Sequence, residues 1–312
     1  MNSKSRFFSE IAKSMFFKKH ATKSIFKHPY ESSLSPKFLR LLSTSKRDIV
    51  QNYPTRIELT CDVLKTKPIS NLTRPYTIVV EGNIGSGKTT FLEPFVESSN
   101  KEGRSPLIDL VEIIPEPVSK WRNLNGTNLL HLMYKDPKRW SLMFQTYVHL
   151  TMIQQHMSAN VNNKPVRIME RSLLSARYCF NENLYKNGFL TEAEYAALSE
   201  WFDFLTASSE LNLIHVDQIV YLRTDPEVAY ERVKKRARPE EHLLPFKYLE
   251  DLHELHEDWL IRQTKFQPSA PVTIIDANPE LEHMSGHYNQ CSQQLIRYAT
   301  KFAASNSTVH HS

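Results

Sequence analysis

The stretch that decides the fold is Thr77-Ile-Val-Val-Glu-Gly-Asn-Ile-Gly-Ser-Gly-Lys-Thr-Thr90. Its first four residues are typical of a β-strand, and the segment that follows fits G-x-x-x-x-G-K-[ST] at every fixed position. The glycines let backbone N–H groups turn inward around phosphate oxygens, and Lys88 can reach the β- and γ-phosphates. The sequence therefore predicts a loop that binds a nucleoside triphosphate. This loop consists of Gly82, Asn83, Ile84, Gly85, Ser86, Gly87, Lys88, Thr89 and Thr90.

Strand and helix patterns alternate from about Pro75 onward, which predicts an α/β domain with a five-stranded parallel sheet flanked by helices. The candidate strands are Thr77–Val80, Leu107–Ile113, Arg167–Met169, Gln218–Leu222 and Val272–Ile275. In an open sheet of this kind, ligands lie outside the carboxyl ends of the strands. We expect this P-loop domain to span residues 75–302 and to be followed by a flexible tail at 303–312.

The first part of the chain differs in composition from the rest. Residues 1–49 hold eleven Lys or Arg against three acidic residues, and apolar residues recur at helical spacing between Phe7 and Met15. This combination is typical of an organelle transit peptide, so we expect a mitochondrial matrix protein. A basic tail on a cytosolic or nuclear protein is the alternative. Residues 50–74, with scattered prolines, are expected to form a linker.

Several classes of function find no support in the remaining sequence. Outside residues 1–49 the chain is close to neutral, so no basic bias favours nucleic acid as a partner. The cysteines lie far apart in no zinc-binding spacing and are expected to be reduced, and no apolar run reaches the about 18 residues that insert into a membrane. His253-Glu-Leu-His256 lacks the H-E-x-x-H spacing and is expected on an exposed helix face. The cysteines are Cys61, Cys179 and Cys291.

Charged residues follow the second and third predicted strands. Glu116 stands between two prolines, which predicts a stiff extended segment whose carboxylate could accept a proton from a hydroxyl group. The third strand ends in Glu170-Arg171: the acid could hold Mg²⁺ together with the Thr89 hydroxyl, and the arginine could pair with a phosphate or with Glu116. An exposed loop glutamate and a capping ion pair without chemical consequence are the alternatives.

A polar residue stands in an apolar stripe between residues 128 and 156, where the sequence predicts two helices separated at Asp136-Pro137. Gln145, Val148 and Met152 are spaced by three and four and so share one helix face. A buried glutamine needs a polar partner, and its amide can pair in two directions with the edge of a nucleobase. The flat side chains that could stack on such a base are Trp121 and Phe180.

The segment from Arg232 to Glu241 is densely basic and follows the fourth predicted strand. A solvated helix face is one interpretation. In a P-loop protein the same residues could form a mobile lid that moves arginines over the transferring phosphoryl group.

Together these motifs resemble the deoxyribonucleoside kinases over a region from about Tyr76 to about Tyr298. Two further runs, 132–137 and 176–180, resemble the mitochondrial and insect branches of that family. The motifs are E-G-N-I-G-S-G-K-T at Glu81–Thr89, E-P-V-x-x-W at Glu116–Trp121, F-Q-x-Y at Phe144–Tyr147, E-R-S at Glu170–Ser172 and R-x-R-x-E-E at Arg236–Glu241.

The resemblance implies that ATP, with Mg²⁺, donates a phosphate to the 5′-hydroxyl of a deoxynucleoside for nucleotide salvage. It implies that Glu116 is the base, helped by Arg171, and that a homodimer forms. By the same resemblance, the residues around the nucleoside are Trp121, Tyr134, Gln145, Val148, Met152, Arg171, Ala176, Phe180 and Glu241. Those serving the ATP phosphates and adenine beyond the loop are Arg232, Arg236, Arg238, Asp276 and Asn278, and those serving the metal are Thr89 and Glu170.

The apolar, uncharged character of Val148, Met152 and Ala176 favours thymidine and deoxycytidine as substrates. Two other functions stay open at this point. A nucleoside monophosphate kinase shares the P-loop and a basic lid, but it needs a further cationic site for its acceptor phosphate. A nucleotide-operated switch or nucleic-acid motor would use Glu170 as its metal-binding acid, and a motor would also need a basic track for its strand.

Overall fold

The computed structural model describes residues 75–97, 110–160, 164–207 and 214–279, together with the single residues 288, 294, 297 and 301. The predicted transit segment 1–49, linker 50–74 and tail 303–312 lie outside these residues, so those boundaries stay predictions.

Five parallel strands form one sheet in the order β2-β3-β1-β4-β5. This confirms the predicted fold class. The central strand is an apolar run buried along its whole length, as expected where helices cover both faces of a sheet. The strands are β1 (Tyr76–Glu81), β2 (Val111–Ile114), β3 (Val166–Glu170), β4 (Gln218–Arg223) and β5 (Val272–Asp276). Each predicted strand is found within a few residues of its expected bounds, except that 107–109 lie outside the described residues.

The strand order determines where a ligand can bind. The chain leaves β1 toward β2 but leaves the neighbouring β3 toward β4, so the two connections run in opposite directions from adjacent strands. Such a switch in direction opens a crevice at the carboxyl ends of the strands. The predicted phosphate loop follows β1 and the Glu170-Arg171 pair ends β3, so both lie at this crevice.

Helices connect the strands, and the described residues also include three irregular helical segments, of which one is a second π-helical turn at Asp258–Arg262 directly after the last α-helix. The α-helices are α1 (Lys88–Glu97), α2 (Val118–Arg122), α3 (Leu129–Lys135), α4 (Pro137–His156), α5 (Leu173–Ser175), α6 (Glu182–Lys186), α7 (Glu192–Ala207), α8 (Pro226–Arg236) and α9 (Phe246–Glu257). A π-helical segment spans Ala176–Asn181, and a 3₁₀ segment spans Pro239–Leu243. In the part of the chain that the structure describes, no helix is both long and apolar enough to cross a bilayer.

The break between α3 and α4 has a local cause and lies where the sequence predicts it. Asp136 ends α3 and caps α4, because its side chain accepts a hydrogen bond from the Arg139 backbone N–H at 3.3 Å. Pro137 follows at the first position of α4, where its missing N–H costs nothing.

Helix α1 packs on the sheet through Phe91, which is fully buried among residues such as Ile78 and Leu222. The Tyr288 ring meets the Phe91 ring edge-on, with 5.1 Å between ring centroids. Burial of one such ring stabilises the fold by about 2–3 kcal/mol. This contact fixes the helix that begins at the phosphate loop.

The prediction that His253-Glu-Leu-His256 lies on an exposed helix face is wrong. Both histidines are buried, and the His256 ring stacks parallel to the Tyr221 ring at 5.9 Å between centroids. The spacing of the apolar residues explains why the prediction failed. Leu249, Leu252 and His256 occupy one face of α9, and that face packs on the sheet. Burial lowers the pKa of His256 to about 3, so the ring is neutral.

Cys179 is a free thiol, and its burial raises its pKa well above the ordinary value. Cys61 and Cys291 lie outside the described residues.

Candidate active site

A cavity of about 1160 Å³ opens at the carboxyl edge of the sheet. One end is formed by the loop after β1 and the other by side chains of α2, α3 and α4, so a single space joins the two predicted binding regions. Its phosphate end is lined by Ile84, Gly85, Gly87, Lys88, Thr89 and Thr90. The remaining predicted loop residues, Gly82, Asn83 and Ser86, do not line the cavity.

The glycines of the loop allow a conformation that other residues would strain. Gly85 has a φ of +81°, and a Cβ there would lie 2.4 Å from the Ala229 carbonyl oxygen of α8. Gly87 likewise has a φ of +85°. The loop can therefore pass close beneath α8 only because residue 85 lacks a side chain.

The loop is closed around its own lysine. The Lys88 ammonium donates to the Asn83 carbonyl at 2.7 Å and to the Gly82 carbonyl at 3.2 Å. Burial, followed by the nearby Arg171 charge, lowers the pKa of Lys88 to about 7, against the opposing effect of Glu116. A negatively charged phosphate at this position would favour the charged ammonium.

Asn83 supports the loop from below. Its side-chain amide donates to the Leu249 carbonyl of α9 at 2.9 Å, and its side-chain oxygen accepts from the Ile84 N–H at 2.8 Å. Asn83 therefore attaches the phosphate loop to α9.

Glu116 and Arg171 form an ion pair inside the cavity. The sequence predicts Glu116 as one of two alternative partners of Arg171, the other being a phosphate. The Arg171 Nε lies 3.0 Å from Glu116 Oε1, while Arg171 Nη1 donates to the Gly82 carbonyl at 2.8 Å. The guanidinium also lies over the Phe180 ring at 4.9 Å. The Glu116 side chain is 18% exposed; its burial raises its pKa above the ordinary value, and Arg171 opposes this shift. Glu116 is therefore not an exposed loop glutamate.

Thr89 and Glu170 also meet in the cavity. The Thr89 hydroxyl donates to Glu170 Oε1 at 2.8 Å, and both residues line the space next to the phosphate loop. A hydroxyl and a carboxylate are oxygen ligands of the type that Mg²⁺ prefers, so this pair fits the ion. Among the described residues, no group of three or more His, Cys, Asp or Glu side chains could hold a metal.

The α4 face predicted from the 145/148/152 spacing lines the other end of the cavity. Gln145 is buried, and its Oε1 makes no hydrogen bond with any described residue. A buried amide oxygen without a partner costs about 1–3 kcal/mol, which a ligand in the cavity could recover. Ala176 and Phe180 reach the same cavity from the π-helical segment.

Trp121 closes this end of the cavity. Its indole Nε1 donates to the Thr151 hydroxyl of α4 at 2.9 Å, and its ring meets Phe144 edge-on at 5.7 Å. The indole is thus held in place by contacts with α4.

Tyr134 and Glu241 also line the cavity. Glu241 accepts from the Arg236 guanidinium at 2.7 Å and lies 3.5 Å from that of Arg238. The Tyr134 ring meets the Tyr248 ring edge-on at 6.3 Å, and burial raises the pKa of Tyr134 well above its ordinary value. The sequence analysis does not predict Tyr248 as a site residue. Its position three residues after Pro245, at the start of a helix, and four residues before Leu252 on the same helix face could have indicated that it is buried.

The three arginines of the basic segment differ in their contacts. All line the cavity, but Arg232 donates to backbone carbonyls at 2.7 Å (Ala277) and 3.1 Å (Asn278). Asn278 lines the cavity, whereas Asp276 does not and instead accepts from the Asn278 N–H at 3.0 Å. Of the two residues predicted at the adenine end, the structure brings one into the site.

Sequence reasoning also missed the carboxyl group beneath the loop. Glu81 is fully buried at the end of β1, and Ser172 Oγ donates to its Oε1 at 2.5 Å. Burial raises the pKa of Glu81 to about 7. In the sequence, Glu81 is simply an acidic residue at the end of an apolar strand, and acidic residues are also common at strand ends that are exposed.

Comparison with known proteins shows which family the chain belongs to. The profile of the deoxynucleoside kinase family matches residues 78–298. The chain belongs to the deoxynucleoside kinase family. This deoxynucleoside kinase is 48% identical to human "Thymidine kinase 2, mitochondrial" over 219 residues, which are 70% of this chain and 77% of the relative. The macaque (Macaca fascicularis) protein of the same name is 47% identical over the same shares.

A second group of relatives is more distant. Mouse "Deoxycytidine kinase" is 34% identical over 236 residues, covering 67% of this chain and 86% of the relative. The predicted family resemblance is thus confirmed, and with it an ATP-dependent kinase of deoxynucleosides of the type that serves salvage. The alternatives of a monophosphate kinase and of a switch or motor have no comparable support.

Proposed function

We propose that this deoxynucleoside kinase transfers the γ-phosphate of Mg²⁺-ATP to the 5′-hydroxyl of thymidine and of deoxycytidine. The observation that carries the proposal is the single cavity in which a phosphate loop, the Glu116–Arg171 pair and the Gln145 amide are exposed to the same space. The three features match the three parts of the reaction, namely the donor phosphate, the attacking hydroxyl and the base of the nucleoside.

In this proposal Glu116 accepts the proton of the 5′-hydroxyl as that oxygen attacks the γ-phosphorus. Burial raises the pKa of Glu116 above its ordinary value, which makes the carboxylate a stronger base than an exposed one, and the Arg171 charge beside it favours the ionised form. Arg171 also contacts the phosphate loop through the Gly82 carbonyl, so it holds the base at a fixed position relative to the donor.

Phosphoryl transfer depends on positioning and on neutralising negative charge. We assign the phosphates to the loop amides, to Lys88 and to the arginines of the basic segment. Thr89 and Glu170 would hold Mg²⁺, whose chemistry is to neutralise the phosphate oxygens. Arg236 and Arg238 lie at the cavity already paired with Glu241, so a bound nucleotide would compete for them.

The pyrimidine preference rests on the uncharged surface formed by Val148, Met152 and Ala176 around Gln145. Such a surface accommodates the 5-methyl group of thymine, and the glutamine can pair with the base edge. The relatives named after thymidine and deoxycytidine support the same two substrates. A panel of the four deoxynucleosides with labelled ATP tests this assignment. We expect thymidine and deoxycytidine to give the highest kcat/KM, and a purine preference would refute it.

We further propose that the enzyme works in the mitochondrial matrix. The basic amphipathic composition of residues 1–49 supports this, as does the word "mitochondrial" in the names of two relatives. Fusion of residues 1–60 to a fluorescent protein should deliver it to mitochondria. Replacement of Lys13, Lys18 and Lys19 by Glu should abolish delivery. Cytosolic or nuclear fluorescence from the intact fusion would contradict the localisation and leave the catalytic proposal unaffected.

A homodimer is the third part of the proposal. Met143, Leu150 and Met157 are each about half exposed and follow one another at intervals of seven residues along and just after α4. That spacing gives an apolar stripe of the kind that pairs with a second helix, and we assign a second copy of this chain to it. Leu150→Glu should convert the dimer to a monomer in sedimentation experiments. Leu243→Glu, at an equally exposed leucine on the 3₁₀ segment, is the control and should not.

A further inference from the structure

Glu240 is a charged residue of the 3₁₀ segment that is only 5% exposed. Both of its carboxylate oxygens have partners. Asn128 Nδ2 donates to Oε1 at 3.0 Å and Arg122 Nη2 donates to Oε2 at 3.1 Å, while Arg122 Nε lies 2.9 Å from Oε1. A buried carboxylate with this many partners is held firmly, because loss of any one of them leaves a buried charge partly unpaired.

The two partners belong to the helices that carry the nucleoside end of the cavity. Arg122 is the last residue of α2 and follows Trp121, which lines the cavity. Asn128 precedes α3 and caps it, because its Oδ1 accepts from the His131 N–H at 2.9 Å. The same helix presents Tyr134 to the cavity.

Glu240 and its neighbour Glu241 therefore point to different parts of the molecule. Glu241 is paired with the arginines of the basic segment and lines the cavity, whereas Glu240 is paired with α2 and α3. The two adjacent carboxylates join the end of the basic segment to the helices of the nucleoside site.

We propose that Glu240 is a positioning residue for the nucleoside: it fastens the basic segment to α2 and α3 and so fixes Glu241 and Tyr134 relative to each other. The inference rests on the proposed function, because it gives the nucleoside end of the cavity its substrate. Glu240 acts only through these residues and does not line the cavity itself.

The phosphate loop has its own attachment and should not depend on Glu240. Asn83 fastens that loop to the Leu249 carbonyl of α9, and Arg171 fastens it to the strand β3 side. Loss of the Glu240 contacts also frees Arg236 and Arg238, but the phosphate loop and Lys88 keep their own attachments and still hold ATP. This loss should therefore weaken the binding of the nucleoside much more than the binding of ATP. A merely structural role would weaken both together.

The first test measures KM for thymidine and KM for ATP in the full chain. Glu240→Gln keeps the shape of the side chain but presents an amide to Arg122. We expect KM for thymidine to rise about tenfold while KM for ATP stays within about twofold. Asn128→Asp keeps the α3 cap but sets a second carboxylate against Glu240, and it should give the same split. Glu250→Gln, on the more exposed side of α9, is the matched control and should change neither value.

A second test does not depend on the substrate. Lys235 and Arg236 are exposed at the end of α8, where trypsin can cleave. Release of the segment from α2 and α3 should speed cleavage there about tenfold in Glu240→Gln, and not in Glu250→Gln.

The two tests separate the failure of this inference from the failure of the proposed function. Equal changes in both KM values, or no change, in an enzyme that phosphorylates thymidine would overturn the positioning role. If the unmodified chain phosphorylates no deoxynucleoside, the proposed function fails and the tryptic cleavage rate decides. An unchanged cleavage rate in Glu240→Gln then also overturns the fastening of the basic segment to α2 and α3, whereas a faster rate supports that fastening and overturns only its role in positioning a nucleoside.

Discussion

The two ends of the cavity are built in different ways. The end that we assign to phosphate is one continuous loop, and its shape depends on the absence of side chains, as at Gly85. The nucleoside end is assembled from side chains of α2, α3, α4, the π-helical segment and the 3₁₀ segment. A local backbone motif can be read from a dozen residues, whereas a site of separate side chains depends on how distant segments pack.

The two ends of the cavity also differ in how well they tolerate substitutions. A change in the phosphate loop meets backbone atoms that cannot move aside, so we expect it to be harmful whatever the new residue. A change on the α4 face alters the wall of the cavity, so we expect it to change the choice of substrate before it changes the fold. Glu116 lines the same cavity, and in our proposal it is the base that links the two ends.

The largest expected effect belongs to Glu116→Gln. The amide keeps the shape but cannot accept a proton, so kcat should fall by about 10²–10⁴. Nucleoside affinity, measured by calorimetry, should be largely kept.

Glu112→Gln is the matched control for that change. Glu112 is also paired with an arginine, at 2.8 Å from Arg167, and is 22% exposed, but it lies outside the cavity. Undiminished turnover in Glu116→Gln, or equal losses in both variants, would remove Glu116 from the chemistry.

Gly85→Ala tests the phosphate end. The new Cβ would lie 2.4 Å from the Ala229 carbonyl at a φ that alanine rarely adopts. We expect a loss of about 2–4 kcal/mol in the free energy of unfolding and a higher KM for ATP. Gly188→Ala, also at positive φ but with open space around the new Cβ, should lose less and keep its KM. Equal losses in the two variants would show that strain, rather than the approach to α8, limits residue 85.

The double variant Val148→Arg with Met152→Asp tests the nucleoside end. A charged pair would narrow the space beside Gln145, so kcat/KM should fall about tenfold or more for thymidine and less for deoxyadenosine. Parallel substrate assays give the ratio. Equal losses for both nucleosides would contradict the assignment of this face to the base.

The smallest expected effect is a change in the pH dependence of stability. Glu81 has a pKa raised from 4.5 to about 7 by burial, so the folded state holds a proton that the unfolded state releases above pH 4.5. Its contribution to stability is complete below pH 4.5 and is lost as pH rises to about 7, at no more than about 1.4 kcal/mol per pH unit. The glutamine side chain in Glu81→Gln does not titrate, so this pH-dependent contribution is absent from the variant.

Denaturant unfolding at several pH values measures the difference between Glu81→Gln and the unmodified chain. The variant should gain relative stability as pH rises from 4.5 to 7. Identical pH profiles would show that Glu81 stays ionised in the folded protein.

Much of the fold and part of the site could be predicted from the sequence. Strands ended where apolar runs met charged residues, and the glutamine within the α4 stripe marked the cavity because a buried amide needs a partner. Contacts between distant segments could not be predicted. No local sequence pattern predicts that Glu240 pairs with Asn128 or that the pKa of Glu81 is raised. The burial of His256 could have been predicted from the apolar face of its helix, but the spacing of a metal-binding motif says nothing about burial.

The most direct measurement offers the protein thymidine and thymidine monophosphate together with γ-labelled ATP and follows the label in each product. A site with Glu116 facing the 5′-hydroxyl predicts that nearly all label appears in thymidine monophosphate formed from thymidine, and that Glu116→Gln suppresses this product. Label that appears mainly in the diphosphate would contradict the proposed acceptor.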